Sequence, residues 1–132
     1  MNALRRTLYL QAAVWAAAGL ALAAFPRFVV VVVFDQPEFP AYAWLRVLGV
    51  QSFGLAMLMV LVAHRLEELW WWTWAFALVN VATAAVVLMK TAFGVSAEES
   101  PVVWWLFSAV SAGFSGGLLY GLYISAQEHP LP

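Results

Sequence analysis

The 132-residue chain has no cysteine, two histidines and 13 charged residues. Without cysteine there can be no disulfide, no thiol redox chemistry, no thiolate metal site and no iron–sulfur cluster. A soluble domain carries about 25% charged residues, which at this length would be about 33. Thirteen charges cannot cover a soluble domain of this size. The net charge is −1 and no basic patch exists to hold phosphates, so a nucleic-acid partner is excluded. What is present is apolar: 65% hydrophobic residues, with eight Trp and nine Phe, and a mean hydropathy of +0.87. This is the composition of a small integral membrane protein, and the first partner it implies is the lipid bilayer.

The charges are segregated. Twelve of the 13 lie outside four apolar stretches, at residues 7–25, 41–62, 70–89 and 102–124. At about 1.5 Å rise per residue, each stretch matches the ~30 Å hydrocarbon core. Only helices and closed barrels satisfy their backbone in lipid, and these stretches are too long and too continuous for barrel strands. The expected fold is an all-α membrane protein, a single antiparallel bundle of four transmembrane helices. The punctuation agrees: Pro26-Arg27 ends the first stretch, and Asp35-Gln36-Pro37-Glu38-Phe39-Pro40 is a turn-rich loop. His64 to Glu68 is a polar hinge, Lys90 ends the third stretch, and a Ser/Glu-rich run before Pro101 starts the fourth. Residues 28–34, a β-branched run, fit an extended stretch, a short interfacial helix or a continuation of the first helix, and a break at Pro26 is preferred. Arg5-Arg6, an apolar run and Ala21-Leu22-Ala23 also have the look of a secretory signal. The run is longer than a signal core, and it is read as a span.

With the N-terminus inside, Arg5, Arg6 and Arg65 face Arg27 and Lys90, a positive-inside bias that puts both termini in the cytoplasm. The compact, Ala/Val/Trp-rich spans point to a bacterial inner membrane. Aromatic residues at both levels form the interfacial belt expected of such a protein.

Polar residues within the spans are the candidates for a site. Arg46 is the one charge inside a stretch, and it either snorkels to the headgroups or binds an anion, with Asp35 or Glu38 as protein partners. Gln51 and Ser52 lie near the middle of the second stretch and Asn80 near the middle of the third. An amide in hydrocarbon costs free energy unless paired, so a Gln51–Asn80 hydrogen bond between helices is expected. The alternative is a polar spot where Arg46, Gln51 and Asn80 hold a lipophilic ligand. No cofactor is indicated, although a quinone or a lipid would suit such a spot. The fourth stretch carries Ala109, Gly113, Gly117 and Gly121 at four-residue spacing, beside Ser108, Ala112 and Gly116. Small-xxx-small stripes let helix backbones approach closely. The first stretch offers a complementary face of Ala13, Ala17 and Ala21, and Gly49 and Gly54 permit tight packing in the second.

His64 and His129 fall at the inner interface and read as ordinary interfacial residues, not as metal or haem ligands. No stretch holds an Asp, Glu or His to act as a general base. No phosphate loop, zinc spacing or nucleophile elbow occurs.

The segment Trp44-Leu45-Arg46-Val47-Leu48-Gly49-Val50-Gln51-Ser52-Phe53-Gly54, with the Ala63-His64-Arg65 exit, resembles the DoxX-like group of small four-helix bacterial membrane proteins. The resemblance covers most of the chain, and its carrier is the Arg-x-x-Gly start of the second helix. It implies an accessory role in a membrane complex or a quinone-like ligand, with Arg46 as the one residue carried over. Three functions are therefore expected, in this order: a non-catalytic protein that packs with itself or with a membrane partner, a binder or redox partner of a lipophilic small molecule, and a channel or transporter, for which the spans offer little polar lining.

Overall fold

A computed structural model of the chain describes residues 2–97 and 99–128. The described residues form helices and connecting turns, with no strand among them. Helix α1 spans Asn2–Ala24, α2 Ala43–His64, α3 Leu66–Leu69, α4 Thr73–Phe93 and α5 Pro101–Glu128. A 3₁₀ turn at Trp70–Trp72 fuses α3 to α4, giving four helices long and apolar enough to cross a membrane. Each begins or ends beyond its apolar stretch, and polar residues near the ends do not cut the helices. Lys90 illustrates this: α4 runs on past it to Phe93, and its ammonium donates to the Gly94 carbonyl at 2.7 Å. A cation suits the carbonyl end of a helix.

After α1 the chain does not become extended. Pro26 supplies no N–H, and beyond it Phe28–Val33 form one π-helical turn in which the Phe34 N–H reaches the Val29 carbonyl at 3.0 Å. The preferred break at Pro26 is not what forms: only Phe25 falls outside the helices, and Pro26 and Arg27 are already helical. The Phe25 N–H bond to the Ala21 carbonyl at 2.8 Å and the Val29 N–H bond to the Phe25 carbonyl at 3.0 Å carry the helical path onward, so the run continues the first helix as a short extension. Asp35 then turns the chain with a positive φ of 50°, a conformation Asp tolerates better than most residues.

The bundle is two antiparallel hairpins, α1 with α2 and α4 with α5, joined where α1 meets α5. Leu4, Leu8, Ala12, Met59, Leu118 and Leu122 form the heart of the core. Much of the outer surface is also large and apolar, including Leu20, Leu78, Val86, Met89 and Phe93, as a helix bathed in lipid requires. Two interfaces set the shape. In the first hairpin, α1 and α2 cross at Gly19 and Gly49. A Cβ built on Gly19 would lie 2.6 Å from the Gly49 carbonyl oxygen, and one on Gly49 would lie 2.6 Å from that of Gly19. Backbone lies on backbone there, and only glycine fits. In the second hairpin, α5 buries Ser108, Ser111, Ser115, Leu118, Leu122 and Ser125, a helical stripe with hydroxyls at both ends. Thr91 Oγ1 stands 2.9 Å from Ser108 Oγ and donates to the Val87 carbonyl at 2.7 Å.

The glycine stripe of α5 divides between two fates. Gly121 packs on Leu4, whose Cα would be 2.9 Å from an added Cβ, and Gly117 packs on Thr7 at 3.0 Å. Gly113 has no atom within 4 Å of such a Cβ, and Ala109 is exposed. The expected alanine face of α1 does not meet this stripe, since Ala13 and Ala17 are exposed. The cause is the Gly19–Gly49 crossing. It draws the far half of α1 onto α2 and opens a groove of about 410 Å³ between α1 and α5, lined by Leu10, Val110, Gly113 and Phe114. Gly54, which sequence alone marks as a packing position, faces open space.

Candidate functional site

Both termini of the bundle lie on one face, with the α2–α3 hinge, and the two long connections lie on the other. Polar chemistry occurs at three depths between them. The deepest is an amide pair. Gln11 Nε2 donates to Asn80 Oδ1 at 2.5 Å, and Asn80 Nδ2 donates to the Phe76 carbonyl at 2.8 Å. Gln11 is 0% and Asn80 2% exposed. Gln11 is the partner that sequence reasoning missed. The expected Gln51–Asn80 bond is not formed, because Gln51 points out of the bundle and is exposed. A signal was there: Gln11 is an amide in the middle of an otherwise apolar run, like Asn80 itself. Gln11 Oε1 has no hydrogen-bond partner among the described residues, and the same holds for Thr73 Oγ1 and Ser125 Oγ, both fully buried near the terminal face.

The terminal face is held by charge. Arg5 donates from Nε to the Ala63 carbonyl at 3.0 Å and pairs with Glu67, tying the start of α1 to the end of α2. Arg65 pairs with Glu68 within the hinge. His64 is exposed at the end of α2, and His129 lies outside the described residues.

The loop face carries a tighter cluster. Glu99, 14% exposed, takes Lys90 at 2.8 Å on Oε1 and the Trp104 indole N–H at 2.9 Å on Oε2. The Ser96 hydroxyl donates to the same carboxylate at 3.0 Å. The Lys90 hydrogen bond holds the Glu99 carboxyl at about 2, well below its ordinary 4.5, with Ser96 adding to that and partial burial opposing it. Lys90 also sits 5.4 Å from the Trp104 ring centre, within cation–π range. Trp104 reaches Gln36 Oε1 at 3.2 Å, so the segment after α1 is tied to the second hairpin. This cluster fastens two connections together, and every charge in it is matched.

Arg46 stands elsewhere on the loop face. Its Nη1 donates to the Ala23 carbonyl at 2.9 Å, capping the end of α1. It pairs with neither Asp35 nor Glu38, since Glu38 is taken by Arg27 at 2.6 Å. Arg46 lines an open groove of about 560 Å³, with Arg27 and Tyr42 among its polar residues and Phe28, Val31 and Val32 among its apolar ones. Arg46, Gln51 and Asn80 therefore do not share a cavity. Arg46 is at the groove, Gln51 is exposed to the surroundings and Asn80 is buried against Gln11.

The arrangement can donate and accept hydrogen bonds and attract an anion. Among the described residues no three His, Cys, Asp or Glu gather where they could hold a metal ion. The buried polar side chains are amides and hydroxyls, which do not titrate near neutrality. No protein-family model, curated protein or solved structure matches the chain.

Proposed function

We propose that the chain is a non-catalytic integral membrane protein that works by packing, with a second copy of itself or as an accessory subunit of a membrane complex. In this reading it sits in a bacterial inner membrane with both termini cytoplasmic. The observation that carries the proposal is the half of the α5 stripe that the fold leaves open. Gly117 and Gly121 are used inside the bundle, while Ala109, Ala112, Gly113 and Gly116 are exposed, with Gly113 lining the groove between α1 and α5. Lipid tails wet such a surface no better than another helix does, and small residues let a helix come close. The DoxX-like resemblance of residues 44–54 supports the same accessory role. The test is native mass spectrometry of protein released gently from its own membranes. A defined oligomer or a second subunit is expected, and Gly113→Leu should abolish it with the fold retained, because nothing in the bundle occupies that space. A bare monomer in the wild type would refute the proposal.

A second reading has its own observation. The Arg46 groove supports the binding of a lipophilic small molecule, such as a quinone or a lipid. Of the three residues expected to serve it, only Arg46 remains a candidate.

A further inference from the structure

Of the six cationic side chains, Arg5, Arg27, Arg65 and Lys90 are paired with carboxylates. Arg6 and Arg46 have no carboxylate partner among the described residues, and each lines a surface groove. Arg46 is the better prepared of the two. Its hydrogen bond to Ala23 fixes the guanidinium and uses one nitrogen, leaving most of its five N–H donors free. Arg27 lines the same groove, bound to Glu38 through Nε alone. The Tyr42 hydroxyl accepts from the Phe39 N–H at 3.2 Å and keeps its own proton to donate.

We propose that this groove is a binding site for an anionic phospholipid, whose phosphodiester meets Arg46 and Tyr42 and whose acyl chain lies along Phe28, Val31 and Val32. Charge decides the class of lipid. Arg46, Arg27 and Glu38 together carry one net positive charge, which a headgroup of net charge −1 neutralises and a zwitterionic headgroup does not. Arg46 lies one turn inside the loop-face end of α2, and one turn inside the end of a bilayer-spanning helix is where headgroups meet chains. A free inorganic anion would have no use for the apolar wall, where Phe28 and Val32 are more than half exposed. The proposal deepens the second reading above and is independent of the packing surface on α5.

The experiment offers delipidated full-length protein phosphatidylglycerol or phosphatidylcholine in mixed micelles, and bound lipid is counted by native mass spectrometry. One interfacial arginine is worth about a fivefold preference for the anionic lipid. Wild type should show that preference, Arg46→Gln should reduce it to about one, and Arg65→Gln on the opposite face should keep it. Because Arg46→Gln also uncaps α1, Val32→Trp serves as a second variant. It fills the groove from an exposed position and should lower retention of phosphatidylglycerol with the arginines in place. Equal retention of both lipids by wild type, or an unchanged preference in Arg46→Gln or unchanged retention in Val32→Trp, would overturn the site. Displacement of the lipid by millimolar inorganic phosphate would overturn it in favour of a free anion. A different small molecule retained by wild type and lost in Arg46→Gln would overturn the phospholipid while keeping the second reading.

Discussion

A single methyl group added at Gly49 tests the packing of the first hairpin directly. Its Cβ would lie 2.6 Å from the Gly19 carbonyl oxygen and 2.7 Å from the Ala23 nitrogen. Both neighbours are backbone, so no side chain can swing aside. Ordinary contact begins near 3.4 Å, and α1 and α2 must therefore separate by about 0.8 Å along their length or bend at the crossing. Overpacking of that kind costs about 1–3 kcal/mol. It is offset by the gain of replacing glycine within a helix, about 0.8–1.0 kcal/mol. Gly54→Ala, on the same helix with open space around it, reports that gain alone. The difference between Gly49→Ala and Gly54→Ala is thus expected to be about 1–3 kcal/mol against Gly49→Ala. Reversible unfolding in mixed micelles, followed by Trp fluorescence, measures it. Gly19→Ala should behave like Gly49→Ala, and the double variant should cost less than the two together, because one separation relieves both clashes. If Gly49→Ala and Gly54→Ala were equally stable, the reasoning would be wrong.

Gln11→Leu or Asn80→Leu alone should destabilise the bundle by about 1–3 kcal/mol, since each strands a buried amide. The double variant should recover part of this, with a coupling of about 0.6–2 kcal/mol in a double-mutant cycle, and no coupling would mean the pair is not made in the membrane. Glu99 has its carboxyl held near 2 instead of 4.5, so its contribution is complete above pH 4.5 and fades as the pH falls toward 2. The stability difference between wild type and Glu99→Gln should therefore be flat from pH 6 to 8 and shrink in that acid window. A difference that changes between pH 6 and 8 would contradict the cluster. Ser111→Leu, on the buried stripe of α5, should overpack the bundle and lower the unfolding temperature, whereas Ala112→Leu, one residue on and exposed, should leave it unchanged.

The number, length and order of the spans were legible in the sequence because they follow from hydrocarbon thickness. Rotation about each helix axis was not. In water, polar residues mark the outer face of a helix. In lipid, the outside is as apolar as the core, and Leu78 or Met89 looks no different from Leu118 until the bundle is seen. So the sequence does not tell Gln51, which faces outward, from Gln11, which sequence reasoning passed over and which meets Asn80, and the Ala13 and Ala17 face expected to pack is exposed. Gly49 was legible as a place for close approach. That its mate is Gly19, and that the meeting draws α1 off α5, depends on where three helices lie at once. Arg46 was legible as an interfacial cation, but its acceptor is a main-chain carbonyl, which no side-chain pattern encodes.

The polar contacts lie at different depths: Arg5 on Ala63 at the terminal face, Gln11 on Asn80 in the middle, Thr91 on Ser108 beneath the loop face. Each depth acts as a tooth. Sliding one helix a single turn along its neighbour moves it about 5.4 Å, enough to disengage the teeth it carries, and the hydrocarbon offers no water to take the freed groups. The bundle therefore has one register. Whatever it does in the membrane, it does as a piece whose helices keep their places, meeting its surroundings through the surfaces it presents.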